Sequence, residues 1–112
     1  MKIICVPKHD QALNRLEFDE NIEGDLIEIS ITEQVHSKLE NIGFFDSINR
    51  LAGSNIDNFE DESITDKKIL QKLMDSDVLD EKRYDTLGLE VKKIKNLFEE
   101  ALKYQTGIFF YF

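Results

Sequence analysis

The chain has 112 residues, 41% of them hydrophobic, and a formal net charge of −9 at pH 7. That length suits one domain, residues 1–112, around a single core, and eight Phe with thirteen Ile are too many for a disordered acidic tail. The charge argues against nucleic acid and against an anionic membrane as partners, because both are bound mainly through Lys and Arg.

In chain order, Met1 to Val6 reads as a short buried strand that Pro7 stops by removing a backbone donor. Ala12, Leu13 and Leu16 sit at helical spacing, enough for one or two turns over 10–16. Phe18 to Asp25 is an acidic loop with Gly24 at the turn. Ile27, Ile29 and Ile31 alternate with Glu28 and Ser30, so 26–31 predicts a strand with one apolar and one polar face. Thr32 caps a helix carrying Val35, Leu39 and Ile42 and ending at Gly43. A second helix with Phe44, Phe45, Ile48, Leu51 and Ala52 on one side ends at Gly53. Residues 54–65 are acidic and read as a loop, or as a loop holding a short strand. Thr65 or Asp66 caps the next helix, which turns Ile69, Leu70, Leu73 and Met74 inward, and 75–85 is a connector. The longest helix spans about 87–104 with a wide apolar stripe, and Gly107 is read as its terminator. The final run Ile108 to Phe112 has strong β preference and must be buried in the middle of a sheet with the 3–6 and 26–31 strands. The expected fold class is α+β: a small, mainly antiparallel sheet of N-terminal, 26–31 and C-terminal strands, with about four helices packed mostly on one face.

Charge is unevenly placed along these elements. Between Glu17 and Asp66 there are fourteen Asp/Glu against Lys38 and Arg50, a local net of −12, whereas the flanking segments carry +2 and +1. Some of those acids belong to ordinary elements: Glu28 on a polar strand face, Glu33 and Asp46 in first helical turns, and Glu40 on an exposed helix face. The excess left over lies in two loop clusters. One is Glu17, Asp19, Glu20, Glu23 and Asp25; the other is Asp57, Glu60, Asp61, Glu62 and Asp66. Both are candidate docking loops for a basic protein, with Phe59, bracketed by acids, as an aromatic anchor.

Other chemistries find less support. An EF-hand calcium loop needs Gly at its sixth position, and counting from Asp57 or from Asp75 puts Glu62 or Asp80 there. Cys5 lies in an apolar run and reads as packing; His9 reads as an exposed turn residue and His36 as a helix boundary residue. The lysines at 67, 68 and 72 and at 92, 93 and 95 alternate with acids, as on a solvated helix face. No Gly-rich phosphate loop, G-x-S-x-G or C-x-x-C occurs. The expectation is a non-enzyme with no cofactor and no metal, a monomer or weak dimer. A cytosolic location is expected as well. The N-terminal apolar run is too short for a signal peptide, no segment approaches about 20 apolar residues, and one cysteine forms no internal disulfide.

The acidic, motif-free α+β chain resembles an immunity protein of a bacterial polymorphic-toxin or contact-dependent growth inhibition system. The resemblance is carried most by Leu26 to Ile31, Ile42 to Phe45 and Asp57 to Glu62. It implies a cognate basic toxin domain, such as a nuclease, as the partner to be bound and neutralised. The alternative is an acidic nucleic-acid mimic or regulatory adaptor that inhibits a DNA- or RNA-binding enzyme. A third reading is a subunit that uses its aromatic C-terminal strand for β-augmentation.

Overall fold

In a computed structural model, which describes residues 2–57 and 60–112, four strands form one fully antiparallel sheet in the order β2-β1-β4-β3. The strands are β1 (Lys2–Pro7), β2 (Leu26–Ile31), β3 (Glu62–Ile64) and β4 (Ile108–Tyr111); the helices are α1 (Asp10–Glu17), α2 (Glu33–Asn41), α3 (Phe44–Ala52), α4 (Lys67–Asp75) and α5 (Gly88–Tyr104). The α+β class expected from the sequence is observed. β4 is interior, as its apolar content demands, but its neighbours are β1 and β3. The 26–31 strand pairs with β1 alone and forms an edge. A fourth strand, three residues long, thus emerges from the acidic 54–65 segment.

Register divides the sheet into two faces, because successive side chains point to opposite sides. Ile4 pairs with Ile29 and Phe110, and Ile64 pairs with Ile108. With Val6 and Ile31 these residues make an inner face that is buried except toward the two edges, where Ile29 of β2 is half-buried and Glu62 of β3, paired with Phe110, is half-buried too. In the other parity, Ile3 pairs with Ser30 and Tyr111, while Cys5 pairs with Glu28 and Phe109, which in turn faces Ser63. This outer face is mixed in polarity.

The helical layer covers the inner face. α5 packs on the sheet, chiefly on β1, and α4, α3 and α2 follow in a chain of helix–helix contacts. Val91, Ile94, Leu97, Phe98 and Ala101 form the buried stripe of α5, the spacing of one helical face. Phe44, Ile48, Leu70 and Leu73 complete the core, with Val78 and Leu79 from the connector. Two single-turn 3₁₀ segments, Glu81–Arg83 and Asp85–Leu87, lead from that connector into α5. The hydroxyl of Tyr84 donates to the carbonyl of Val78 at 2.5 Å and closes the connector on itself.

Caps follow the local chemistry. Thr32 Oγ1 accepts from the Val35 amide at 3.1 Å, and the Asp66 carboxylate, rather than Thr65, accepts from Lys68 and Ile69 at the start of α4. His9 caps α1, its Nδ1 accepting from the Ala12 amide at 3.1 Å. α5 ends at Gln105, held at φ 55°, and not at Gly107. Gly107 is needed for another reason: a Cβ there would lie 2.7 Å from Thr65 Cγ2 and 3.0 Å from the Ile64 carbonyl oxygen. The bare backbone lets β4 approach the end of β3.

His36 departs from the boundary role read for it. It is 2% exposed, stacked on Phe45 at 5.2 Å and edge-on to Phe112 at 4.8 Å, and its Nε2 has no hydrogen-bond partner among the described residues. The ring fits because Phe112 folds back beside α2, a contact invisible to helix periodicity. Burial, and then the nearby Lys2 ammonium, push its pKa below 6.5 against the opposing pull of Glu40 and Glu33. Among the described residues no helix is long and apolar enough to cross a membrane.

Candidate functional site

The outer face of the sheet floors a groove of about 690 Å³. Ile3 and Cys5 of β1, Leu26 of β2 and Phe109 and Tyr111 of β4 supply its apolar surface, with Leu16 from the last turn of α1. Five acids line the same groove: Glu17 and Asp19 from the end of α1 and the loop that follows it, Glu28 from β2, and Asp61 and Glu62 from the entry into β3. Among the described residues no Lys, Arg or His lines it.

Topology explains the convergence. α1 leaves the end of β1 and delivers the 17–25 loop to one side of the outer face, before β2 returns beside β1. β3 pairs with β4 on the far side and carries Asp61 and Glu62 to the opposite rim. Glu17 and Asp19 therefore meet Asp61, more than forty residues further along the chain, across β1 and β4. Tyr111 registers that meeting electrostatically: its hydroxyl pKa is pushed up to about 12, by burial first and then by Cys5, Asp61 and Asp19. Burial, with Glu28 directly across the strand, likewise pushes the Cys5 thiol up to about 12. A thiol held so far above neutral pH stays protonated, which is packing rather than nucleophile chemistry.

The candidate docking acids separate into groups. Glu17, Asp19 and Asp61 reach the groove, and Glu28, assigned above to an ordinary strand face, joins them. Glu62 borders it, but register pairs it with Phe110 of the inner face and its carboxylate accepts from the Asn55 and Ser63 amides. Glu20 and Glu23 are exposed but do not line it. Asp57 and Glu60 face each other in an isolated antiparallel bridge away from its lining, and Phe59 lies outside the described residues. Asp66 is exposed but uses its carboxylate as the α4 cap.

Asp25 does not belong to a docking surface. It is 2% exposed, accepts from Arg15 Nε at 2.7 Å and Nη2 at 2.5 Å, and also takes the Ile22 amide at 3.0 Å. The Arg15 fork holds its pKa down to about 2, the bidentate geometry in which guanidinium binds carboxylate best. The acid therefore fastens the 18–25 loop to α1.

The sequence reading also missed the exposed apolar residues of that loop. Phe18 is 72% and Ile22 60% exposed. Phe18 stands directly between Glu17 and Asp19, the same acid-bracketed pattern that singled out Phe59, so the signal was present. Among the described residues no three His, Cys, Asp or Glu converge closely enough to hold a metal ion. No protein-family model matches the chain, and neither a curated protein nor a solved structure does.

Proposed function

We propose that this chain is an inhibitory binding protein that docks a basic protein domain on the acid-rimmed groove, as immunity proteins dock the toxins they neutralise. One observation carries the reading: acids from distant parts of the chain surround one concave, partly apolar surface that no basic residue lines among the described residues. A nuclease domain is basic because it holds phosphates, and an acidic partner seated on that surface keeps substrate out. Complementary charge raises association toward about 10⁸ M⁻¹s⁻¹ at low salt, which suits a protein that must stop a toxin before it acts. A stable interface needs about 800 Å² from each partner, a small part of the 6595 Å² exposed here.

The protein acts in this reading by binding alone, one copy to one partner, in a reducing cytosol where a lone buried Cys5 thiol is at home. Acids gathered round a concavity favour protein docking over nucleic-acid mimicry, which would string carboxylates along an elongated surface at phosphate-like spacing.

The test is the affinity for a basic toxin domain encoded by a neighbouring reading frame, measured at low and high salt. Binding that weakens steeply with salt, and that falls on Asp19→Asn/Glu28→Gln/Asp61→Asn substitution, supports the reading. The same affinity in wild type and triple variant at every salt concentration contradicts it.

A further inference from the structure

The groove has unused groups of two kinds, and they are complementary to one ligand chemistry. The first are its acids. Among the described residues the ion pairs are Lys2–Glu33, Arg15–Asp25 and Arg83–Asp77, none of which uses a groove carboxylate. Glu62 is engaged by the Asn55 and Ser63 amides at 2.8 and 2.9 Å. Glu17, Asp19, Glu28 and Asp61 have no side-chain hydrogen bond within the described chain.

The second are its rings. His36, Phe44, Phe45, Tyr84, Phe98, Phe110 and Phe112 all take part in ring–ring contacts. The cation–ring contacts of the described residues fall on Phe112, Tyr84 and Tyr104. Phe109 and Tyr111, half-buried on the groove floor, enter neither kind.

We propose, resting on the docking reading above, that the groove takes an arginine side chain from a basic segment of the partner, its guanidinium lying on the Tyr111 ring and its N–H groups turned to Asp19 and Asp61. A planar guanidinium matches this surface better than an ammonium does. It stacks on a flat ring, offers five donors in a fixed fork to carboxylates on opposite walls, and is less strongly hydrated on entering a half-buried site. A volume of about 690 Å³ also exceeds one side chain, so the flanking backbone of the segment enters with it.

The test is an amide NMR titration of the whole chain with two blocked peptides, one carrying two arginines spaced by glycine and the other two lysines in their place. Arginine should bind about tenfold more tightly, the order of a partly desolvated cation–ring contact. Its shifts should concentrate at Cys5, Phe109 and Tyr111. Tyr111→Leu should bring arginine affinity down to the lysine value, and Asp19→Asn/Asp61→Asn, on the exposed rim where folding is not at stake, should weaken both peptides. Equal affinities with shifts scattered over all acidic surfaces overturn the slot while leaving docking by charge intact. So does binding of neither peptide by a chain that still holds a basic toxin domain. Conversely, arginine-selective binding at Tyr111 beside a toxin affinity indifferent to the rim acids keeps the slot and removes the docking reading.

Discussion

The two faces of the sheet are built from the same strands and differ only in side-chain parity. On the inner face Ile4, Val6, Ile108 and Phe110 are fully buried under α5. On the outer face Ile3, Phe109 and Tyr111 remain half-buried, and Glu28 stands among them. A one-residue step along β4, from Phe110 to Tyr111, passes from core to groove. Stability and the proposed docking role are thus separable on this scaffold: the inner row makes the fold, and the outer row leaves Ile3, Phe109 and Tyr111 partly open to a partner of the kind proposed.

The largest effects should confirm that separation. Phe110→Ala removes a fully buried ring and should cost about 3–5 kcal/mol, whereas Tyr111→Leu, one residue on, should stay within about 1 kcal/mol; paired urea melts compare them directly. Similar losses at the two positions would break the comparison.

Next comes the contrast between Asp25 and the groove acids. Asp25→Asn should lower the melting temperature at neutral pH, while Asp61→Asn should leave it unchanged or raise it by relieving repulsion among like charges. The folded pKa of Asp25, about 2, lies below its ordinary value of 3.8, so its contribution is present above about pH 4 and lost as pH falls toward 2. Melting temperatures of wild type and Asp25→Asn should accordingly converge over that window.

His36 gives a smaller effect, of opposite chemistry. Its folded pKa is lowered, so the unfolded chain takes up a proton first and wild-type stability should decline as pH drops below about 6.5. His36→Phe removes both the proton site and the buried unpaired Nε2. It should be at least as stable as wild type at pH 7 and lose that acid-side decline in thermal melts from pH 7 to 5. The smallest expected effect is at Tyr111 itself. Ultraviolet titration should find a phenol near pH 12 that moves only part of the way toward 10 in Asp19→Asn/Asp61→Asn, since burial is the larger cause.

Local signals in the sequence carried the fold a long way. The Ile27, Ile29 and Ile31 alternation, the α5 stripe and the Thr32 cap are each set by near neighbours, and each matches its element. Long-range partners were not legible in the same way. Asp25 reads as one more loop acid until Arg15, ten residues earlier, closes on it. His36 looks peripheral until Phe112 arrives from the other end of the chain. β3 is three residues inside an acidic stretch and takes its identity from β4. The two acidic loops stood out by charge, but their meeting over Tyr111 depends on which strands lie side by side. Glu28 was set aside for the same reason: periodicity shows that it faces outward and says nothing of what faces it.

Amide hydrogen exchange of the chain, alone and bound to a basic toxin domain, tests the role of the outer face most directly. New protection is expected in residues 17–28, 60–63 and 109–111, with α2, α3 and α4 unchanged. Protection confined to the helical layer, with those three segments exchanging as in the free protein, would contradict it.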